Sequence, residues 1–215
     1  MSNKYQYTKL ATYSTIRVIK LEQKKVDNTI TCIIRHVEQP RFHYHALSYV
    51  WGDPTPTRHI FVSDSTSDST SDSTSDVSKF PLHETLWRFL NWAWERKMFE
   101  HWIWTDRICL NQEDSDEIAG QIPRMGQIFH GAYKVLAWLD MSRSEGESLA
   151  NLLSPSESTE VKSKSRKETP PQTLHAMKKA YGNKYWERVW IVQEIVNASW
   201  VTILIGDLEI EFMVG

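Results

Sequence analysis

Four short apolar runs, FHYHALSYV (42–50), HWIWTD (101–106), YKVLAWLD (133–140) and WVTILIG (200–206), follow one another down the chain, and each gap between them contains a segment of helical period. Leu82, Leu86, Phe89, Leu90 and Ala93 put an apolar stripe on a helix over 82–97, and Ile118, Ile122, Met125, Phe129 and Ala132 put another on a second helix. A third helix is expected from Thr173 to Ala198, bent near Gly182. Strands that alternate with helices in this way cannot pair as hairpins. They predict a parallel, doubly wound α/β sheet flanked by helices.

The segments around this core read differently. TIRVIKLE (15–22) and TITCIIRHV (29–37), separated by the polar QKKVDN, predict an antiparallel β-hairpin added at the N-terminus, and HIFVS (59–63) predicts one more strand. Residues 1–14 read as an N-terminal tail and 15–215 as one domain. The repeat SDSTSDSTSDSTSD has no apolar content, so residues 63–78 are expected to be a disordered surface insertion. Residues 141–171 are polar and Pro/Ser-rich and are expected to form a mobile loop with one helical turn near Leu149–Leu153. RICLNQED reads as loop, Asp114 or Ser115 as the cap of the helix that follows, and Pro123 as a break inside it.

A net charge of −2 gives no electrostatic case for nucleic acid or an anionic membrane. No run approaches the ~18 apolar residues of a membrane span, and Met1 to Leu21 lacks the apolar core of a signal peptide. The two cysteines, Cys32 and Cys109, make neither a disulfide framework nor a metal knuckle. His43-x-His45 has no partners at ligand spacing, so no metal and no resident cofactor are expected. These features predict a cytoplasmic protein. Most of the ten tryptophans are expected in the core.

Doubly wound sheets bind ligands beyond the carboxyl ends of their strands. Here those ends are Ser48–Asp53, Asp106–Gln112 and Asp140 onward. Ser48, Tyr49, Trp51, Gly52 and Asp53 read either as a packed turn or as the wall of a nucleotide pocket, with Trp51 an aromatic face and Gly52 allowing close approach. Asp106 either orients a ribose hydroxyl, or pairs with Arg107, or caps backbone amides. Asn111 and Gln112 either brace their loop or touch the ligand.

Three blocks, HALSYVWGD (45–53), WTDRICLNQED (104–114) running into QIPRMGQIFHGAYKVLAWLD (121–140), and ERVWIVQEIVNA (187–198), together resemble the fungal heterokaryon incompatibility (HET) domain over about residues 15–206. The family's acidic-Arg pair after the NQ loop is Glu117-Ile118 here, Pro123 replaces a helix former, and Asp140 stands where glycine is usual. In block order the chain is also similar to TIR domains: ALSY resembles their first strand, Asp106 stands where their second strand carries Asp, and Trp190-x-x-x-Glu194 has the spacing of their catalytic helix. That second resemblance implies a TIR-like, flavodoxin-like fold with another helix and strand after Gly206, so the chain reads either as a shortened copy or as a smaller sheet.

The resemblance implies a role in heterokaryon incompatibility and regulated cell death, with a sensor or partner protein and homo-oligomerisation on activation. It further implies cleavage of NAD⁺, as substrate, at the nicotinamide–ribose bond. The pyridinium leaves as a neutral base without protonation, so one carboxylate that stabilises an oxocarbenium-like ribose is enough. Glu194 is the candidate, with Trp190 one turn earlier to stack on nicotinamide and Gln193 and Arg188 to hydrogen-bond ribose or phosphate. Two alternatives stand beside it: Glu194 as a helix glutamate paired with a nearby base, and the whole domain as a non-enzymatic death-signalling adaptor that works by self-association.

Overall fold

The computed structural model describes residues 4–64, 77–153 and 169–214. At its centre are four parallel strands: β3 (His45–Tyr49), β6 (Trp102–Trp104), β7 (Lys134–Trp138) and β8 (Trp200–Ile205). They lie in the order β6-β3-β7-β8, with Ala46 opposite Trp104 on one side and Ser48 opposite Ala137 on the other. Their apolar runs are buried because helices cover the sheet. The wider sheet is mixed, which corrects the expectation of an essentially parallel one. β1 (Thr15–Leu21) pairs antiparallel with both β2 (Thr31–Glu38) and β6; β2 continues into β4 (Arg58–Asp64) and β5 (Ser78–Leu82); β9 (Leu208–Met213) closes the far edge, making nine strands among the described residues.

The N-terminal hairpin forms as expected. Its tight turn is Asp27-Asn28, both at positive φ, with Val26 and Thr29 exchanging backbone hydrogen bonds. Positive φ at both central residues matches the right-handed twist of the flanking strands. β5 escapes a periodicity search because it is short and contains Pro81, which a strand at the sheet's edge tolerates. Ser63 and Asp64 lie in β4 and Ser78 in β5, so the predicted insertion is narrower than 63–78; its repeat over 65–76 lies outside the described residues. Within the tail, Tyr5 is buried and its N–H donates to the Lys79 carbonyl, 3.1 Å away.

Helix α1 (Glu84–Glu95) buries Leu86, Phe89, Leu90 and Ala93, the stripe its sequence predicts. Phe89 and Trp92 pack on Trp138 of β7, with ring centroids 5.7 and 5.4 Å apart. The stretch read as loop after β6 begins with a short helix, α2 (Asp106–Cys109). In α3 (Ser115–Gln121) the Asp114 side chain accepts from Asp116 and Glu117 N–H, and Pro123 breaks the path into a 3₁₀ turn before α4 (Met125–His130).

Two further expectations are corrected. Residues Arg143–Leu153 form a full helix, α5, where one turn was expected; residues 154–168 of the predicted loop lie outside the described residues. Gly146 explains the placement of α5: a Cβ there would sit 2.1 Å from the Ile205 carbonyl, so only glycine lets the helix lie against β8. The helix read from Thr173 to Ala198 is three pieces: α6 (Pro171–Tyr181), a 3₁₀ turn (Lys184–Glu187) and α7 (Ile191–Val196). Asn183 makes the break, its side-chain Oδ1 accepting from Tyr185 N–H and its side-chain Nδ2 donating to the Leu139 carbonyl. Beyond β8, Gly206-Asp207 makes a two-residue hairpin into β9, Gly206 at φ +56°. Among the described residues no helix is long and apolar enough to cross a membrane.

Candidate functional site

Ser48 is the penultimate residue of the central strand β3 and is buried. Three groups from one later segment converge on its hydroxyl. Tyr185 Oη lies 2.6 Å away, Arg188 Nη1 donates to Ser48 Oγ at 3.0 Å, and Ser48 Oγ donates to Glu194 Oε2 in a short hydrogen bond. Arg188 also grips Glu194 with both arms, Nη2 to Oε1 at 2.7 Å and Nη1 to Oε2 at 2.8 Å. Glu194 is only 2% exposed, and both its oxygens are occupied. The break in the last helix makes this possible: Tyr185 rides the 3₁₀ turn, Arg188 follows it, and α7 brings Glu194 back to the same point.

Next to this cluster stands a second carboxylate. Asp106, first residue of α2, accepts from Trp51 Nε1 at 2.8 Å and from Arg107 N–H at 2.7 Å. Burial, followed by the negative charge of Glu194, pushes its pKa up to about 6 against the pull of the Trp51 hydrogen bond. The Tyr49 hydroxyl is buried without a hydrogen bond of normal geometry. Desolvation and then the Asp106 charge hold its pKa well above the phenol range.

A pH dependence follows. Between the unfolded Asp value near 3.9 and about 6, the folded chain holds a proton on Asp106 that the unfolded chain has released. Stability from this group is therefore complete below the lower value and is lost as pH rises through the upper one. Asp106→Asn removes this titration, but its single amide oxygen can serve only one of the two donors, Trp51 Nε1 and Arg107 N–H, so the gain in unfolding free energy at neutral pH is expected to stay below the ~2–3 kcal/mol set by the shift. It should also flatten the profile between pH 4 and 6, as urea titrations across that range would show.

The other predicted residues are distributed more widely. Trp51 packs at 5.2 Å on His83 and belongs to the Asp106 side. Gly52, at φ +72°, allows the turn, and Asp53 is exposed, its Oδ1 accepting from Thr55 N–H. Trp190 caps the start of α7 but is 43% exposed, and Gln193 is exposed, its backbone carbonyl accepting from the Asn197 side-chain amide. Arg107, Asn111 and Gln112 line a separate depression, from which the Gln112 amide donates to the Asp106 backbone carbonyl. Tyr185 was not anticipated. Its signal was Tyr-x-x-Arg, since residues three apart eclipse in a 3₁₀ turn.

Among the described residues no group of three or more His, Cys, Asp or Glu is placed to hold a metal. His45 Nε2 and His101 Nδ1 meet as a pair, 3.1 Å apart. Cys32 and Cys109 are free and buried, and burial pushes the Cys109 thiol up to about 12.

The molecule is therefore an α/β domain whose central strand tip is closed by an Arg-Glu pair from its last helical segment. It belongs to the heterokaryon incompatibility protein (HET) family, whose sequence profile matches residues 44–194, a span that contains both Ser48 and Glu194. It is similar to "heterokaryon incompatibility protein 6, OR allele" of Neurospora crassa, with 32% identity over 114 residues. That stretch covers 53% of this chain and 16% of the relative. No solved structure matches it.

Proposed function

We propose that this chain is a cell-death effector domain of heterokaryon incompatibility, and that its chemistry is cleavage of NAD⁺ at the nicotinamide–ribose bond by Glu194. The observation that carries the reading is the convergence of Ser48 and Glu194, 146 residues apart, at the carboxyl end of a central parallel strand, with Asp106 alongside. That is where doubly wound sheets bind ligands. The strand order β6-β3-β7-β8, second-first-third-fourth along the chain, supports kinship with flavodoxin-like sheets and so with TIR domains.

In the conformation described here Arg188 occupies the carboxylate. Turnover therefore requires the guanidinium to swing off Glu194 toward solvent, where its side chain is already 19% exposed. A latched acid of this kind suits an effector that must stay silent until triggered. The exposed apolar side chains of the same segment, Val189, Val192 and Val196, favour a second reading, an adaptor that self-associates without chemistry.

Nicotinamide release from NAD⁺ by the purified, artificially clustered chain tests the choice. Release that disappears in Glu194→Gln, with the fold intact by circular dichroism, is expected. Clustered protein that leaves NAD⁺ untouched, with cell killing preserved in Glu194→Gln, would transfer the role to the adaptor.

A further inference from the structure

Beyond Asp106 the surface opens into a depression of about 120 Å³, lined by Lys4, Tyr7, Phe80, Arg107, Asn111 and Gln112 among others. The Arg107 guanidinium lies over the Phe80 ring, 5.5 Å from its centroid. Among the described residues it makes no ion pair and no hydrogen bond. Every other charge at the rim is already matched: Lys4 pairs with Glu113 at 2.5 Å. Asn111 spends its side-chain oxygen on Glu113 N–H, which leaves its amide hydrogens as donors, while Gln112 donates one hydrogen to the Asp106 carbonyl. Tyr7 points its hydroxyl away to the Ile108 carbonyl.

The depression thus presents one net positive charge, several N–H donors and an aromatic wall, and its one lining carboxylate, Glu113, is paired with Lys4. Its floor is rigid, because Glu117 Oε1 accepts from Asn111 N–H at 2.8 Å while Glu117 is held by Arg17. A half-buried guanidinium without an acceptor, framed by donors on a fixed loop, is complementary to an oxyanion.

We propose that this depression is an oxyanion site, in which Arg107 and Asn111 bind the phosphate group of a small molecule. Phosphate is preferred to carboxylate because it offers three acceptor oxygens to the guanidinium and the Asn111 amide, where a carboxylate offers two. The site does not depend on the reading of Glu194 as a catalyst. Asp106 nonetheless joins the two places, its carboxylate facing Trp51 and its carbonyl accepting from Gln112.

The test is calorimetric titration of the full chain with inorganic phosphate, ribose 5-phosphate and acetate at matched ionic strength. Saturable binding of the two phosphates is expected, weakened about tenfold or more by Arg107→Ala, the loss of one charge-assisted contact. Asn111→Asp, which retains the loop's side-chain acceptor and adds a negative charge at the site, should weaken it too and guards against misfolding of the first variant. Equal affinity for both phosphates identifies a site for the free group, and tighter ribose 5-phosphate identifies a sugar-phosphate ligand. Acetate binding as tightly as phosphate, indifference to both variants, or no saturable heat with any ligand would overturn the proposal. Glu194→Gln should not alter the titration, so a failed NAD⁺ assay leaves this result standing.

Discussion

Removing the Glu117 carboxylate, as in Glu117→Ala, lowers the free energy of unfolding by about 3–5 kcal/mol, the cost of leaving one partner of a buried ion pair uncompensated. Arg17 is fully buried and Glu117 nearly so, with both guanidinium arms engaged at 2.6 and 2.9 Å. Without the carboxylate, Arg17 keeps the Cys109 and Thr8 carbonyls and the Tyr7 ring, 4.8 Å away, none of which neutralises its charge. The same substitution frees the Asn111 N–H, so the loop carrying Asn111 and Gln112 loosens as the core weakens. The double variant Arg17→Met/Glu117→Leu removes both charges and should recover most of the loss, because an apolar pair of similar volume has no desolvation penalty. Urea unfolding of the two single variants and the double closes the cycle. A single-variant loss below ~1 kcal/mol would mean that water reaches the pair.

Arg188→Met is expected to cost more stability than Glu194→Gln, although the two changes break the same bidentate contact. The asymmetry comes from depth: the Glu194 side chain is 2% exposed and that of Arg188 is 19%. A stranded guanidinium can turn to water, whereas a stranded carboxylate at the tip of β3 keeps only the Ser48 hydroxyl. The loss for Arg188→Met should approach ~3–5 kcal/mol and that for Glu194→Gln should remain near ~1–2 kcal/mol. Melting curves of both variants decide it, and equal losses would place the two charges at the same depth. The difference also matters for function, since Glu194→Gln then serves as an activity variant that still folds.

Much of this architecture was readable in the residues. The strands β3, β6, β7 and β8 were found because buried parallel strands are continuously apolar, and α1 because its stripe keeps a 3.6-residue period. Asp140 shows how a departure from the family pattern can be read afterwards: it sits at φ +50°, where glycine is unstrained and Asp is tolerated. The signal for β9 was also present, Gly206-Asp207 between two β-rich runs, and went unread because the expected sheet continued with a helix. Helix α5 was concealed by the polar composition of its exposed face, with only Gly146 and Leu149 buried.

What the sequence determined by itself was local. Backbone hydrogen bonding and the side-chain period of each segment settle which elements form, and the spaced Trp-containing blocks settle the family. What only the tertiary structure decided was which distant groups share a site. Ser48 and Tyr185 meet across 137 residues, Arg188 saturates the Glu194 carboxylate six residues on, and Arg107 lines a different depression. The first two outcomes depend on the angle at which a broken helix returns to the sheet. That angle is set by packing and by side-chain hydrogen bonds such as those of Asn183, which have no period along the chain.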